Sequence, residues 1–132
     1  MNIARSIAAV FLLLIACAAH AQMPDFGELE ARLHIRPDQK EQYDRAVGAT
    51  KRAMLAVGLA AIEMKNAFAA ELAKDRPDFH ALAKKQNELI DQQRPLFQEA
   101  GREWQKLYNL MDPDQVTMAK AYLHDNLGKV FQ

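Results

Sequence analysis

His34, His80 and His124, with Asp78 and Asp125 close to two of them in sequence, are the side chains whose types could hold a divalent metal ion. A helical metal site places two ligands on one face, and the chain has no His-x-x-x-His pair or comparable ladder. The three therefore read as surface or structural histidines, with metal ligation as the weaker alternative. Nucleophilic catalysis finds no better footing. Serine is missing from residues 22–132, the lone cysteine is Cys17, no Gly-rich phosphate loop occurs, and the carboxylates fall on what the spacing makes solvated helical faces. The expectation is a protein that is not an enzyme and uses no cofactor.

Cys17 belongs to another kind of chemistry. Residues 1–21, MNIARSIAAVFLLLIACAAHA, combine Arg5, an apolar run from Ile7 to Ala16 and small residues at Ala19 and Ala21. That is the make-up of a secretory signal peptide cleaved before Gln22. A second reading stands beside it: Leu14-Ile15-Ala16-Cys17 resembles a lipobox, with the signal ending before Cys17 and the cysteine acylated. Either way the expected compartment is the bacterial periplasm, free or lipid-anchored in the envelope, and a membrane is a partner only if Cys17 is lipidated. Residues 22–132 suffice for a single helical domain with a modest core. Without Arg5 the chain keeps 16 of its 17 Lys and Arg against 17 Asp and Glu, a net charge of −1. So even a balance offers no basic patch, and nucleic acid is not an expected partner.

The elements that carry these residues are helices. No proline interrupts the stretch between Pro37 and Pro77, and Tyr43, Val47, Thr50, Met54, Val57, Ala61, Met64, Phe68 and Leu72 recur at intervals that alternate four and three almost throughout. This is the seam of a helix about 55 Å long packing on another at a shallow angle. A second arm starts at Arg76-Pro77-Asp78 and repeats a similar period through Phe79, Leu82, Leu89, Leu96, Ala100, Leu107 and Met111. Pro95 lies inside it and should bend or break it. A short helix is expected over 25–33, with Phe26, Leu29 and Leu33 on one side, and a last one from Pro113 to about Leu127, stopped by Gly128. The fold class is all-α, with four helices built on a long, curved antiparallel helical hairpin.

Two of the helix starts echo each other. Ile35-Arg36-Pro37-Asp38-Gln39 opens the long helix, and Met111-Asp112-Pro113-Asp114-Gln115 opens the last. At the second copy Asp112 can cap the first turn, Pro113 needs no N–H partner, and Gln115 can reach back in a capping box; at the first copy Arg36 has no acceptor. The pair resembles the LTxxQ-motif family of periplasmic proteins, the Spy and CpxP chaperones and their metal-responsive relatives, over about Leu33 to Leu123. The family's Leu is here Ile35 or Met111 and its Thr is Arg36 or Asp112, while Gln39 and Gln115 are retained. Members are thin, helical, cradle-shaped homodimers that bind unfolded periplasmic proteins without ATP. The resemblance thus implies an elongated homodimer acting as an ATP-independent chaperone or envelope-stress protein. It equally allows a regulatory module that binds a metal ion or the periplasmic domain of a sensor kinase.

One stretch exceeds what a hairpin needs. Ala53 to Ile62, AMLAVGLAAI, is ten apolar residues in a row, half of the about 20 that span a membrane. Leu55, Leu59 and Ile62 form a second ridge about 100° around the helix from the seam, and with Met54 they make the expected client or dimer surface. Leaving such side chains in water forgoes roughly 1.5–3 kcal/mol each. Terminal helices of the same chain, a second copy or an unfolded client could cover them.

Overall fold

The computed structural model describes residues 24–130, which form four α-helices and no strand: α1 (Phe26–Arg32), α2 (Lys40–Leu72), α3 (Phe79–Leu110) and α4 (Pro113–Val130). The signal peptide, the cut before Gln22 and Cys17 lie outside the described residues.

Asp25 starts α1 by accepting the Glu28 N–H at 3.0 Å. Its far end is closed by two backbone bonds, from Ile35 N–H to the Glu30 carbonyl at 3.3 Å and from His34 N–H to the Ala31 carbonyl at 3.2 Å. That pair of bonds is a Schellman motif, which asks for a left-handed residue. His34 fills the position with φ of 50°, where glycine would sit without a Cβ penalty.

α2 begins three residues later than Pro37. Pro37, Asp38 and Gln39 form a tight turn, with Gln39 N–H on the Arg36 carbonyl at 2.9 Å, and the helix runs from Lys40. Missing a capping acceptor at Arg36, this start gains its order from contacts made across the fold. α3 starts one residue after its cap, Asp78, which accepts the Ala81 N–H at 3.0 Å and leaves Pro77 outside the helix. α3 also runs unbroken through Pro95. Proline deprives the Asp91 carbonyl of its partner, but both residues are exposed, so water can take the lost place. The expected stop at Gly128 is absent too, because α4 continues to Val130. No described glycine has positive φ, and inside a helix a glycine costs only about 1 kcal/mol relative to alanine.

The core is concentrated at one end. Phe26 and Leu29 of α1 and its C-cap Leu33, Tyr43, Val47 and Met54 of α2, Trp104 and Leu107 of α3, and Ala119 and Leu123 of α4 form one buried cluster. Tyr43 and Trp104 meet edge to face with centroids 5.9 Å apart. Trp104 Nε1 donates to Thr50 Oγ1 at 2.8 Å, Thr50 Oγ1 donates to the Ala46 carbonyl at 2.9 Å, and the Tyr43 hydroxyl donates to the Phe26 carbonyl. Burial pushes the Tyr43 phenol well above its ordinary range.

Beyond Met54, among the described residues, α3 is the element packed along α2. Gln42 meets Glu103, Arg52 meets Glu99 and Glu63 meets Lys85, so partners fall along α3 as they climb along α2. Leu82 and Leu89 are the buried side chains of the far half of α3. Phe68 and Leu72, placed on the seam by their spacing, are exposed, as is Phe79. By length and composition alone, α2 as a whole is long and apolar enough to cross a membrane, which the ten-residue run by itself is not.

Candidate functional site

The two echoed helix starts meet. Gln39 and Gln115 are 0% and 2% exposed, and their side chains exchange hydrogen bonds: Gln39 Nε2 donates to Gln115 Oε1 at 2.9 Å, and Gln115 Nε2 donates to Gln39 Oε1 at 2.8 Å. Each oxygen also accepts the backbone N–H three residues before it, from Arg36 at 3.0 Å and from Asp112 at 3.0 Å. Each amide nitrogen donates once more to a carbonyl just ahead of the other motif, Gln39 to Leu110 at 2.8 Å and Gln115 to His34 at 3.1 Å. Gln115 Nε2 also lies 3.1 Å from the Leu33 carbonyl. The same 76-residue offset relates Gln39 to Gln115 and Arg36 to Asp112, so the junction has a local pseudo-two-fold axis. The backbone N–H donors dictate which amide atom is oxygen, because a flipped amide would set donor against donor.

Arg36 and Asp112 break that symmetry and join its halves. Asp112 Oδ1 caps α4 by accepting the Gln115 N–H at 2.9 Å, while Asp112 Oδ2 takes Arg36 Nη1 at 2.9 Å. Arg36 Nη1 also reaches Gln115 Oε1 at 3.2 Å, and Arg36 Nε pairs with Asp38 at 3.1 Å. The guanidinium holds the Asp38 carboxyl below its ordinary range. Ile35 and Met111 pack, partly buried, against the core. Pro37 and Pro113 are exposed, at the turn before α2 and the first residue of α4. Sequence reasoning found each motif as a separate helix start. It missed their meeting, for which the identical Pro-Asp-Gln spacing was the available signal. It missed the Arg36–Asp112 pair altogether.

The apolar surface lies elsewhere. Leu55, Leu59 and Ile62 are 63%, 58% and 59% exposed on the outer side of α2, and none of the described terminal helices covers them. Met54 does not belong with them. It follows the buried Val47 and Thr50 at intervals of seven and four, continues the inward stripe and sits in the core. Exposed Phe68, Leu72, Phe79 and Ile90, on the distal stretch of α2 and α3, add apolar surface that periodicity had assigned to the seam or passed over.

His34 ends α1, His80 lies in the first turn of α3 and His124 lies on α4; all are exposed. Among the described residues no group of three or more His, Cys, Asp or Glu is gathered as a metal site would require. Comparison with protein-family models, with curated proteins and with solved structures finds no match to this chain.

Proposed function

We propose that this protein is an ATP-independent periplasmic chaperone or envelope-stress protein that holds unfolded proteins against the outer ridge of α2. The observation that carries the reading is the exposure of Leu55, Leu59 and Ile62 on a helix whose other end is anchored in a four-helix core. Aliphatic side chains grip without directional hydrogen bonds and suit clients of varied sequence. Lys51, Arg52, Glu63 and Lys65 rim the ridge and keep it soluble between encounters. The paired motifs, by their likeness to the LTxxQ family, support the same reading, with α2 and α3 as the arms of a curved hairpin in an elongated homodimer. The N-terminal sequence supports delivery to the periplasm.

Suppression of aggregation tests it. At stoichiometric amounts the protein slows light scattering by a chemically unfolded client, and Leu59→Glu weakens that protection while the far-UV spectrum and Tm stay near wild type. Absence of protection by the wild type refutes the reading.

A further inference from the structure

The seat that α1 occupies at the base of the hairpin recurs, uncovered, at its far end. At the base, Phe26, Leu29 and Leu33 share one buried cluster with Tyr43, Val47, Trp104 and Leu107, and Glu30 accepts Lys40 Nζ at 3.0 Å. The step from Lys40, Tyr43 and Val47 to Lys65, Phe68 and Leu72 is 25 residues along α2, and the step from Trp104 and Leu107 back to Phe79 and Leu82 is 25 residues along α3. Because the arms run in opposite directions, both steps lead the same way, roughly 37 Å toward the hairpin turn. At about 100° per residue such a step ends only about 20° short of seven whole turns, so similar side chains return on the same stripes. The bonds from Gln42 to Glu103 and from Lys85 to Glu63 hold the arms in one register, which sets Phe68 opposite Phe79 as Tyr43 is set opposite Trp104.

The two seats differ in what lies over them. Tyr43 and Trp104 are 2% and 3% exposed, whereas Phe68, Leu72 and Phe79 are 44%, 62% and 64% exposed above the buried Leu82. Lys40 is shared between Glu30 and Asp44. Its counterpart Lys65 is exposed, Ala69 stands at the position equivalent to Asp44, and no described carboxylate pairs with it. The acids close by in sequence are engaged elsewhere, Glu63 by Lys85 and Glu71 by Lys74 and the Asp78 N–H.

What fills the base seat defines the chemistry that fits the distal one. Phe26, Leu29 and Leu33 supply apolar side chains at i, i+3 and i+7, and Glu30 supplies a carboxylate at i+4. That is helix-in-groove recognition with one charge to set the register. An anionic bilayer would find a single lysine there, with the exposed Asp75 and Asp78 near the turn opposing it. We propose that the distal seat of Lys65, Phe68, Leu72 and Phe79 docks an acidic amphipathic helix of a partner protein, in the manner of α1 at the base. Phe68 is nine residues, about two and a half turns, from Leu59, so the seat and the outer ridge lie on opposite sides of α2 and the proposal does not rest on client holding.

An acetylated, amidated peptide of residues 24–34, with Gly27→Ala to favour helix, is the probe. Added to the isotope-labelled protein in the form the expressing cell yields, it should shift the amide resonances of Lys65, Phe68, Leu72 and Phe79, with a Kd of about 0.1–1 mM. Phe68→Glu should weaken binding by about tenfold or more, and Lys65→Glu by about threefold, with Tm near wild type because both sites are exposed. The peptide carrying Glu30→Lys should bind the Lys65→Glu protein better than it binds wild type, and Leu59→Glu should change nothing. Equal affinity for wild type and Phe68→Glu, shifts confined to the outer ridge, or no shifts at about 2 mM peptide overturn the proposal. Flotation of wild type but not Phe68→Glu with phosphatidylglycerol vesicles, in the absence of peptide shifts, assigns the seat to lipid and equally overturns it.

Discussion

The junction of the two Pro-Asp-Gln motifs and the outer ridge of α2 lie on the same helix and treat burial in opposite ways. At the junction two polar side chains are driven out of water, which is tolerable only because their amide atoms meet each other and donors and acceptors supplied by four helix ends. Along the ridge three aliphatic side chains stay in water, where each forgoes a stabilisation that none of the described residues supplies. One end therefore holds the fold, and the other leaves apolar surface exposed. A helix set in a four-helix core at its base and paired with α3 farther out exposes that surface without unfolding.

The contrast breaks most severely at the glutamines. Gln39→Leu removes both halves of the amide exchange and the acceptor of the Arg36 N–H, while Gln115 keeps its bonds to Leu33, His34 and Asp112 and the Leu110 carbonyl keeps Arg36 Nη2; with each buried unmet group costing about 1–3 kcal/mol, a loss of about 2–3 kcal/mol is expected in urea unfolding. Gln115→Leu should cost about as much. The double substitution should cost less than the sum of the two, because neither glutamine is then left behind. Leu59→Glu on the ridge should by comparison leave stability within about 0.5 kcal/mol of wild type, since the site is already wet.

A middle-sized effect is expected where the two motif copies are joined. The Arg36–Asp112 pair is about half exposed, with side chains 43% and 47% accessible, so it contributes only about 0.5–1 kcal/mol. Asp112→Arg should lose more than that, since it also deletes the cap on α4. Exchanging the two residues should recover the charge pairing without the cap, and a double-mutant cycle by thermal denaturation separates the two contributions.

The smallest expected effect concerns pH. Gln42 donates to the Glu103 carboxylate from across the α2–α3 contact, and this bond, with Lys106 assisting, holds Glu103 below the usual carboxylate range. A carboxyl whose folded pKa is depressed contributes stability above its unfolded pKa of about 4.3 and loses it as pH falls through the folded value. Stability should therefore decline below about pH 4.3, and Glu103→Gln should flatten that decline in a series of urea titrations from pH 7 to pH 3. An unchanged slope would mean that other carboxylates carry the acid sensitivity.

The four helices were legible because helix formation is written locally. Intervals of three and four marked α2 and α3, Asp25 and Asp78 marked starts, and the repeated Pro-Asp-Gln marked two more. The boundaries were less legible. Pro37 falls in a turn, Pro95 leaves α3 whole and Gly128 does not end α4, since a local penalty, about 3 kcal/mol for the proline and about 1 for the glycine, can be offset by the rest of the helix and by solvent. Met54 shows the same limit for faces. In a run where every residue is apolar, hydrophobicity alone cannot tell inward from outward, and only the register with Val47 and Thr50 places Met54 in the core.

By itself, the sequence determined the helical class, the four helices of the described residues, the two matched helix starts and an apolar surplus on α2. Those follow from spacing, capping chemistry and composition, which act over a few residues. Only the tertiary structure decided that Gln39 and Gln115 bury themselves against each other, that Arg36 finds its acceptor in Asp112, and that Leu55, Leu59 and Ile62 are left uncovered. Each of these depends on where two segments distant in the chain come to rest, and a hydrogen-bond partner 76 residues away leaves no periodic trace in the residues beside it.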